Sequence, residues 1–272
     1  MASPTGYLHG THPEEQRRLT DLNALVNRAS MEALAPGPGE RALDLGSGLG
    51  QFARLLAKAT GARVLAIERS PEQIARARAL AEEAGEGALV EHRAGDALEP
   101  PLAPDEWGSF DLAHARFLLE HVPAPQRVVD AMARAVRPGG RVVLEDDDHE
   151  ALRLWPEPPG VMAVWRTYIR TYDRLGNDPH VGRRLVELLA TAGLEPRRIA
   201  LLPFGACAGD PAFPAYVANL ADILAGARDA ILATGGVTAE AFDAAQAALR
   251  RWGRRRDAAF WYTISWAEAA RP

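Results

Sequence analysis

The stretch Leu43-Asp44-Leu45-Gly46-Ser47-Gly48-Leu49-Gly50 constrains this chain more than any other. Arg41 to Leu45 is a short apolar run of the kind that buried strands make, and Gln51 to Thr60 has helical periodicity with Phe52, Leu55 and Leu56 on one side. Glycines between the two allow a tight strand-to-helix turn, let a ligand approach the backbone, and offer the amides of a helix start to anionic groups. The spacing is G-x-G-x-G. Gln51 stands three after Gly48, so the dinucleotide fingerprint G-x-G-x-x-G is not met. Asp44, just before the first glycine, would repel a pyrophosphate and suits an ammonium, a sulfonium or a ribose hydroxyl.

The same alternation continues to Asp148. Arg63–Ile67, Leu89–Arg93, Phe110–His114 and Arg141–Glu145 read as further strands. Helices are expected from Ser70 to about Ala84, opened by a capping serine with Pro71 behind it and stopped by Gly85 and Gly87, and from about Ala124 to Val136. Strands and helices at this spacing predict right-handed crossovers and a doubly wound, mostly parallel α/β sheet. Residues 35–149 and 181–272 form the expected core, with later strands at Glu195–Leu202 and Ala259–Ala267. Three segments fall outside the alternation. Residues 1–34 are read as an N-terminal helical cap, and 150–180 and 205–253 as helical insertions covering a ligand site.

Composition excludes several classes. With 47% apolar and 25% charged residues and a net charge of −5, the 272-residue chain has an ordinary globular balance. No run approaches the roughly 20 apolar residues of a membrane span. The start has no signal-peptide pattern, and Cys207 is the only thiol, so a cytoplasmic protein without disulfides is expected, with Cys207 as a small core residue. Only Lys58 among the basic residues is lysine, which fits a G- and C-rich gene. The arginine cluster from Arg250 to Arg256 is read as a solvated helix end, and nucleic acid is not the expected partner.

Two more acids fall at the carboxyl edge of the predicted sheet. Glu68 ends the second strand, where a carboxylate can accept the hydroxyls of a ribose. Asp96, in Gly95-Asp96-Ala97 after the third strand, can accept from an adenine amino group. Together with Phe-Asp-Leu-Ala-His-Ala-Arg-Phe-Leu-Leu-Glu-His-Val from 110 and Arg-Pro-Gly-Gly at 137–140, these motifs make residues 41–148 resemble a class I S-adenosylmethionine-dependent methyltransferase. The similarity is to the small-molecule group that includes the ubiquinone/menaquinone biosynthesis type, with a seven-stranded Rossmann-like sheet.

The resemblance implies a cofactor set: Asp44, Gly46, Ser47, Gly48, Gly50 and Gln51 at the methionine moiety, Glu68 and Arg69 at the ribose, Asp96 and Ala97 at the adenine, and His114 beside the sulfonium. It also suggests that the lead segment brings Tyr7, Gln16 and Arg18 to the methionine end, the alternative being a surface helix packing Leu19, Leu22, Leu25 and Val26. The function it implies is in-line methyl transfer to a small acceptor, a specialised metabolite or a phenolic or quinone-like compound, by a monomer or homodimer. The alternative is a non-catalytic protein on the same scaffold that binds the cofactor or another nucleoside as a sensor.

In-line displacement needs positioning, and it needs a base only if the acceptor must lose a proton. The leading candidates are His114, His149 and Tyr168, with His121, Tyr172 and His180 behind them. Arg116 is read as facing an acidic acceptor or pairing with Glu120. The run Glu145-Asp146-Asp147-Asp148-His149-Glu150 leaves the fifth strand toward the same edge, with Glu145, Asp147 and His149 on one side by alternation. No metal is assigned to it, and Asp146 and Asp148 are taken as acceptor contacts. Trp155, Trp165, Tyr168 and Tyr172 are read as an aromatic roof, with core packing as the alternative. A nicotinamide enzyme is disfavoured by the glycine spacing. A nucleic-acid methyltransferase is disfavoured because His114-Ala-Arg-Phe117 stands where an Asn/Asp-Pro-Pro-aromatic motif would be.

Overall fold

In the computed structural model the described residues are 13–272, with side chains described from Asn23 onward apart from Ala24 and Leu175. Tyr7 lies outside them, and so do the side chains of Gln16, Arg18, Leu19 and Leu22. In chain order the elements are α1 (Pro13–Leu34), β1 (Ala42–Leu45), α2 (Gln51–Thr60), β2 (Val64–Glu68), α3 (Pro71–Glu83), β3 (Val90–Ala94), β4 (Phe110–Arg116), α4 (Pro125–Ala135) and β5 (Val136–Asp147). There follow β6 (Arg153–Trp155), α5 (Val161–Ile169), α6 (Leu185–Thr191), β7 (Glu195–Pro203) and β8 (Ala206–Cys207). The chain then forms α7 (Phe213–Gly226), α8 (Arg228–Ala233), α9 (Ala239–Trp252), β9 (Ala259–Trp261) and β10 (Thr263–Ala270).

The main sheet has the order β3-β2-β1-β4-β5-β10-β7. Its first five strands are parallel, and β10 runs antiparallel to both β5 and β7. Chain order reverses between β1 and β4, and in sheets of this kind that switch point opens a crevice at the carboxyl ends of the strands. Each face is apolar. Phe52, Leu56, Val64 and Trp266 belong to one buried layer, and Leu43, Leu45, Val128 and Met132 to the other. As its sequence predicts, α3 is capped by Ser70 Oγ, which accepts from Gln73 N.

A second, three-stranded sheet in the order β6-β9-β8 was not foreseen from the sequence. It pairs Leu154 with Phe260, both buried, and Trp155 with Ala259. Alternation therefore turns Trp155 outward, where it is 69% exposed, so the expectation that it roofs a ligand is corrected. Cys207, on β8, is exposed rather than a core residue. Helix α9 packs Phe242, Ala245, Leu249 and Trp252 inward, and Arg250, Arg251, Arg254, Arg255 and Arg256 face solvent as expected. No helix among the described residues is long and apolar enough to cross a membrane.

Candidate active site

Two cavities meet at the carboxyl edge of the main sheet. The larger, a cleft of about 440 Å³, is lined by the β1–α2 loop, the ends of β2 and β4, and the segment after β3. That volume lies within the range of small-molecule sites, about 300–1,000 Å³. The loop is held from below by β2, since Gly46 N and Ser47 N both donate to Ile67 O, at 2.8 and 3.2 Å. Gly46 has φ +69°, and a Cβ there would sit 2.9 Å from a Leu118 methyl, so only glycine fits.

Parallel pairing of β1 with β4 sets Asp44 directly opposite His114. Asp44 Oδ1 lies 2.8 Å from His114 Nδ1, and both side chains are buried. A carboxylate can only accept, so the imidazole carries its proton on Nδ1. His114 Nε2, also buried, has no hydrogen-bond partner among the described residues. The ring stacks on Phe52 at 4.5 Å between centroids. Glu68 accepts from Gly48 N at 3.0 Å and Ser70 N at 2.9 Å, and thereby braces the loop it borders. Asp96 accepts from Leu98 N at 2.9 Å.

Of the residues expected at a cofactor, Asp44, Gly46, Ser47, Gly48, Gln51, Glu68, Arg69, Asp96, Ala97 and His114 all line the cleft. Gly50 does not. It is buried beneath the loop, where a Cβ would come within 2.6 Å of His92. Arg116 lines the cleft, but its guanidinium donates to Ser30 Oγ, Asn23 Oδ1 and Asn27 Oδ1 of α1. It stacks over Phe52 and stands 4.0 Å from Glu145, so its acidic neighbour is Glu145 where the sequence offered Glu120 or an acidic acceptor. Burial lowers its pKa, with Glu145 and Asp44 opposing that loss.

The second cavity is a chamber of about 120 Å³ whose wall includes Glu120, Asp147, His149, Trp165, Tyr168, Tyr172 and Tyr262. Phe117 and His121 line both cavities. Phe117 has φ +51°, a left-handed conformation uncommon for a bulky residue, and its N–H donates to Glu145 O. Backbone strain at this point holds an aromatic ring at the junction of cleft and chamber.

Inside the chamber, His149 is fully engaged. Its Nε2 lies 2.9 Å from Glu120 Oε2 and 3.1 Å from the Tyr172 hydroxyl, and its Nδ1 lies 3.1 Å from the Tyr262 hydroxyl. Tyr172 donates to Glu120, and Tyr168 is 3.0 Å from Tyr172. Trp165 Nε1 donates to His149 O at 2.8 Å. Burial disfavours the Glu120 charge, but His121 and His149 outweigh it and hold the carboxyl down to about 2. Burial likewise opposes protonation of His149, and Glu120 raises its pKa in spite of that. For Asp147, burial and then the Glu120 charge push the carboxyl up to about 7.

Two acids expected at an acceptor lie elsewhere. Asp146 is buried on the other side of β5 and accepts from Leu118 N and Leu119 N. Asp148 is held by Arg183 at 2.7 Å and is 3.4 Å from His180, outside the chamber. Two groups of three could approach a cation with one atom each, Glu120-Asp147-His149 and Asp148-Glu150-His180. Both already balance charge internally, the first through His149 on Glu120 and the second through Arg183.

A methyltransferase-domain family model matches residues 43–144. The chain is 31% identical over 201 residues to the methyltransferase str3 of Strobilurus tenacellus, covering 71% of this chain and 68% of that protein. The chain belongs to the class I S-adenosylmethionine-dependent methyltransferases. It is also 34% identical over 183 residues to an uncharacterized 37.1 kDa protein in transposon Tn4556 of Streptomyces fradiae, spanning 66% of this chain but only 50% of that one. In structure it is similar to the [4+2]-cyclase SpnF, with a TM-score of 0.58 and 23% identity over 91% of this chain and 80% of that one. That likeness is one of fold, and a methyltransferase fold by itself does not fix the reaction.

Within this family framework, the sequence reading missed Glu120 and Tyr262 as chamber residues, and it named Asp147 only within a set with Glu145 and His149 while giving the acceptor contacts to Asp146 and Asp148. Alternation along the fifth strand did put Asp147 and His149 on one side. Tyr262 gave no signal, because it sits between β9 and β10, which the sequence joins into one run.

Proposed function

We propose that the chain transfers a methyl group from S-adenosylmethionine in the cleft to a small-molecule acceptor in the chamber. The observation that carries this reading is adjacency: Phe117 and His121 border both cavities, so a donor in the cleft and an acceptor in the chamber would face the same two side chains. The cleft fits the donor by chemistry as well as size. Acids stand at the tips of neighbouring strands, and Ser47 Oγ and His114 Nε2 are buried polar atoms without protein partners among the described residues.

When bound, the cofactor supplies a methyl on a cationic sulfur. Asp44 offers a carboxylate to the positive end of the ligand, oriented by His114. The Gly46–Gly48 loop gives backbone access to the methionine moiety, Glu68 and Arg69 face the ribose, and Asp96 and Ala97 face the adenine. On the acceptor side, Trp165, Tyr168 and Tyr172 form apolar and hydroxylated walls that suit a planar compound of phenolic or quinone-like type and keep bulk water from the reacting atoms.

Titration of the purified protein with S-adenosylhomocysteine tests the cofactor half. Incubation of protein and S-adenosylmethionine with a metabolite extract, read by mass spectrometry for products heavier by one methylene, tests the acceptor half. Binding without any methylated product would favour a sensor on this scaffold.

A further inference from the structure

The geometry points to Asp147 as the group that takes the proton from a hydroxyl acceptor in the chamber, with Tyr262 as its positioning residue. The inference rests on the methyltransferase reading above and names the acceptor class, a hydroxylated aromatic ring methylated on oxygen.

Size comes first. A chamber of about 120 Å³ is on the scale of a single ring, since an apolar cavity of about 150 Å³ takes up benzene. Aromatic walls from Trp165, Tyr168 and Tyr172 favour the same shape.

The choice among proton acceptors follows from occupancy. Both ring nitrogens of His149 are taken, Nε2 by Glu120 and Tyr172 and Nδ1 by Tyr262, so neither is free to face an acceptor. Tyr168 and Tyr172 are bonded to each other, and Tyr172 also donates to Glu120. His149 Nδ1 lies 3.1 Å from the Tyr262 hydroxyl, which is in turn hydrogen-bonded to the Asp147 carboxyl. That chain fixes one side of Asp147. Its Oδ1, buried, has no hydrogen-bond partner among the described residues, and the residue lines the chamber. The groups facing Asp147 are Glu120 and His121 from the turn after β4, Glu145 and Asp146 on its own strand, and His149 and Tyr262. Burial and Glu120 raise its carboxyl to about 7, which suits proton exchange near neutral pH.

In the step itself, the acceptor oxygen forms a bond to the methyl carbon while the carbon–sulfur bond breaks and its electron pair returns to sulfur. The hydroxyl proton passes to Asp147 Oδ1 and leaves to solvent afterwards. Cationic sulfonium becomes neutral thioether, carboxylate becomes carboxylic acid, and charge is conserved.

The test uses the full chain, S-adenosylmethionine and a graded series of phenols compared at mildly alkaline pH, from 4-nitrophenol, which is mostly ionised there, to 4-methoxyphenol, which is not. Asp147→Asn should slow transfer to 4-methoxyphenol by about 100-fold or more, the scale of a lost general base, and leave 4-nitrophenol within a few-fold of wild type. The wild-type rate on 4-methoxyphenol should rise with pH through a group near neutrality, and Asp147→Asn should flatten that rise. Tyr262→Phe should displace the inflection while keeping the slope across the series. S-adenosylhomocysteine affinity is measured in every variant to establish that it is folded. Equal loss on all phenols, or no loss, overturns the role of Asp147. A wild-type protein that binds S-adenosylhomocysteine but methylates no phenol overturns the acceptor class and leaves the cofactor reading standing, whereas failure to bind S-adenosylhomocysteine takes both down.

Discussion

Asp146 and Asp147 are sequence neighbours on β5 that serve opposite sides of the sheet. Asp146 accepts two backbone amides, from Leu118 and Leu119, and so fixes the loop after β4. Asp147 turns into the chamber. One residue of strand register therefore separates an acid that builds the wall from an acid that faces the space behind it.

The cost of holding Asp147 there is measurable. Its folded-state pKa lies above the unfolded value, so its contribution to stability is complete below roughly pH 4 and is lost as pH rises through about 7. Asp147→Asn removes that penalty. Urea unfolding should find the variant close to wild type at pH 4 and more stable by about 1–3 kcal/mol at pH 8, after allowing for screening of a half-buried group. A wild-type advantage that grows with pH would count against the assignment.

Glu120 carries the opposite sign. Its carboxyl is held down to about 2, so its stabilisation is present above the unfolded value near 4 and fades as pH falls through about 2. Glu120→Gln leaves His149 without its counter-charge and is expected to cost about 3–5 kcal/mol at pH 7, the scale of a broken buried pair. Melting curves at descending pH should show the gap between the two proteins closing.

At the cleft, Asp44→Ala removes a carboxylate and frees His114 Nδ1. Loss of a charged hydrogen-bonding partner is worth about 1.5–3 kcal/mol, so calorimetry should record S-adenosylhomocysteine binding weakened by about 10- to 100-fold. Glu68→Ala is expected to weaken binding too, partly by loosening the loop at Gly48. Unaltered affinity in both variants would remove the cofactor from this cleft.

Arg116 couples α1 to the sheet through Ser30, Asn23 and Asn27. Arg116→Leu keeps some packing on Phe52 but takes the guanidinium from Asn23 and Asn27, while Ser30 keeps its bonds to Val26 O and Glu145. Local opening of α1 should then become easier by at least ~1.4 kcal/mol, or tenfold, and trypsin should cut after exposed Arg28 correspondingly faster. Because Asn23 also borders the cleft, cofactor affinity should fall with it.

The sheet and the cleft were legible in the sequence for a physical reason. A buried parallel strand, a glycine turn and an amphipathic helix each have strong local signatures, and β1, the loop and α2 lie in one stretch of chain. The chamber is different, since its wall is assembled from the turn after β4, the end of β5, α5 and the β9–β10 junction. Strands β6, β8 and β9 are only 3, 2 and 3 residues long, too short to show a period, and so the turning of Trp155 to solvent was hidden. Asp148 was assigned to the acceptor because a run of acids has no visible register until the strand's end is known. Arg116 was assigned there because its partners are on α1, more than two hundred atoms of backbone away in the chain.

The antiparallel strand inserted in the sheet also completes the chamber. Although β10 follows every other described element in the chain, it lies between β5 and β7, and Ile264 on it stands with Tyr262 in the wall behind Phe117. Every residue lining the cleft precedes β5, whereas the chamber draws its far side from the other end of the fold.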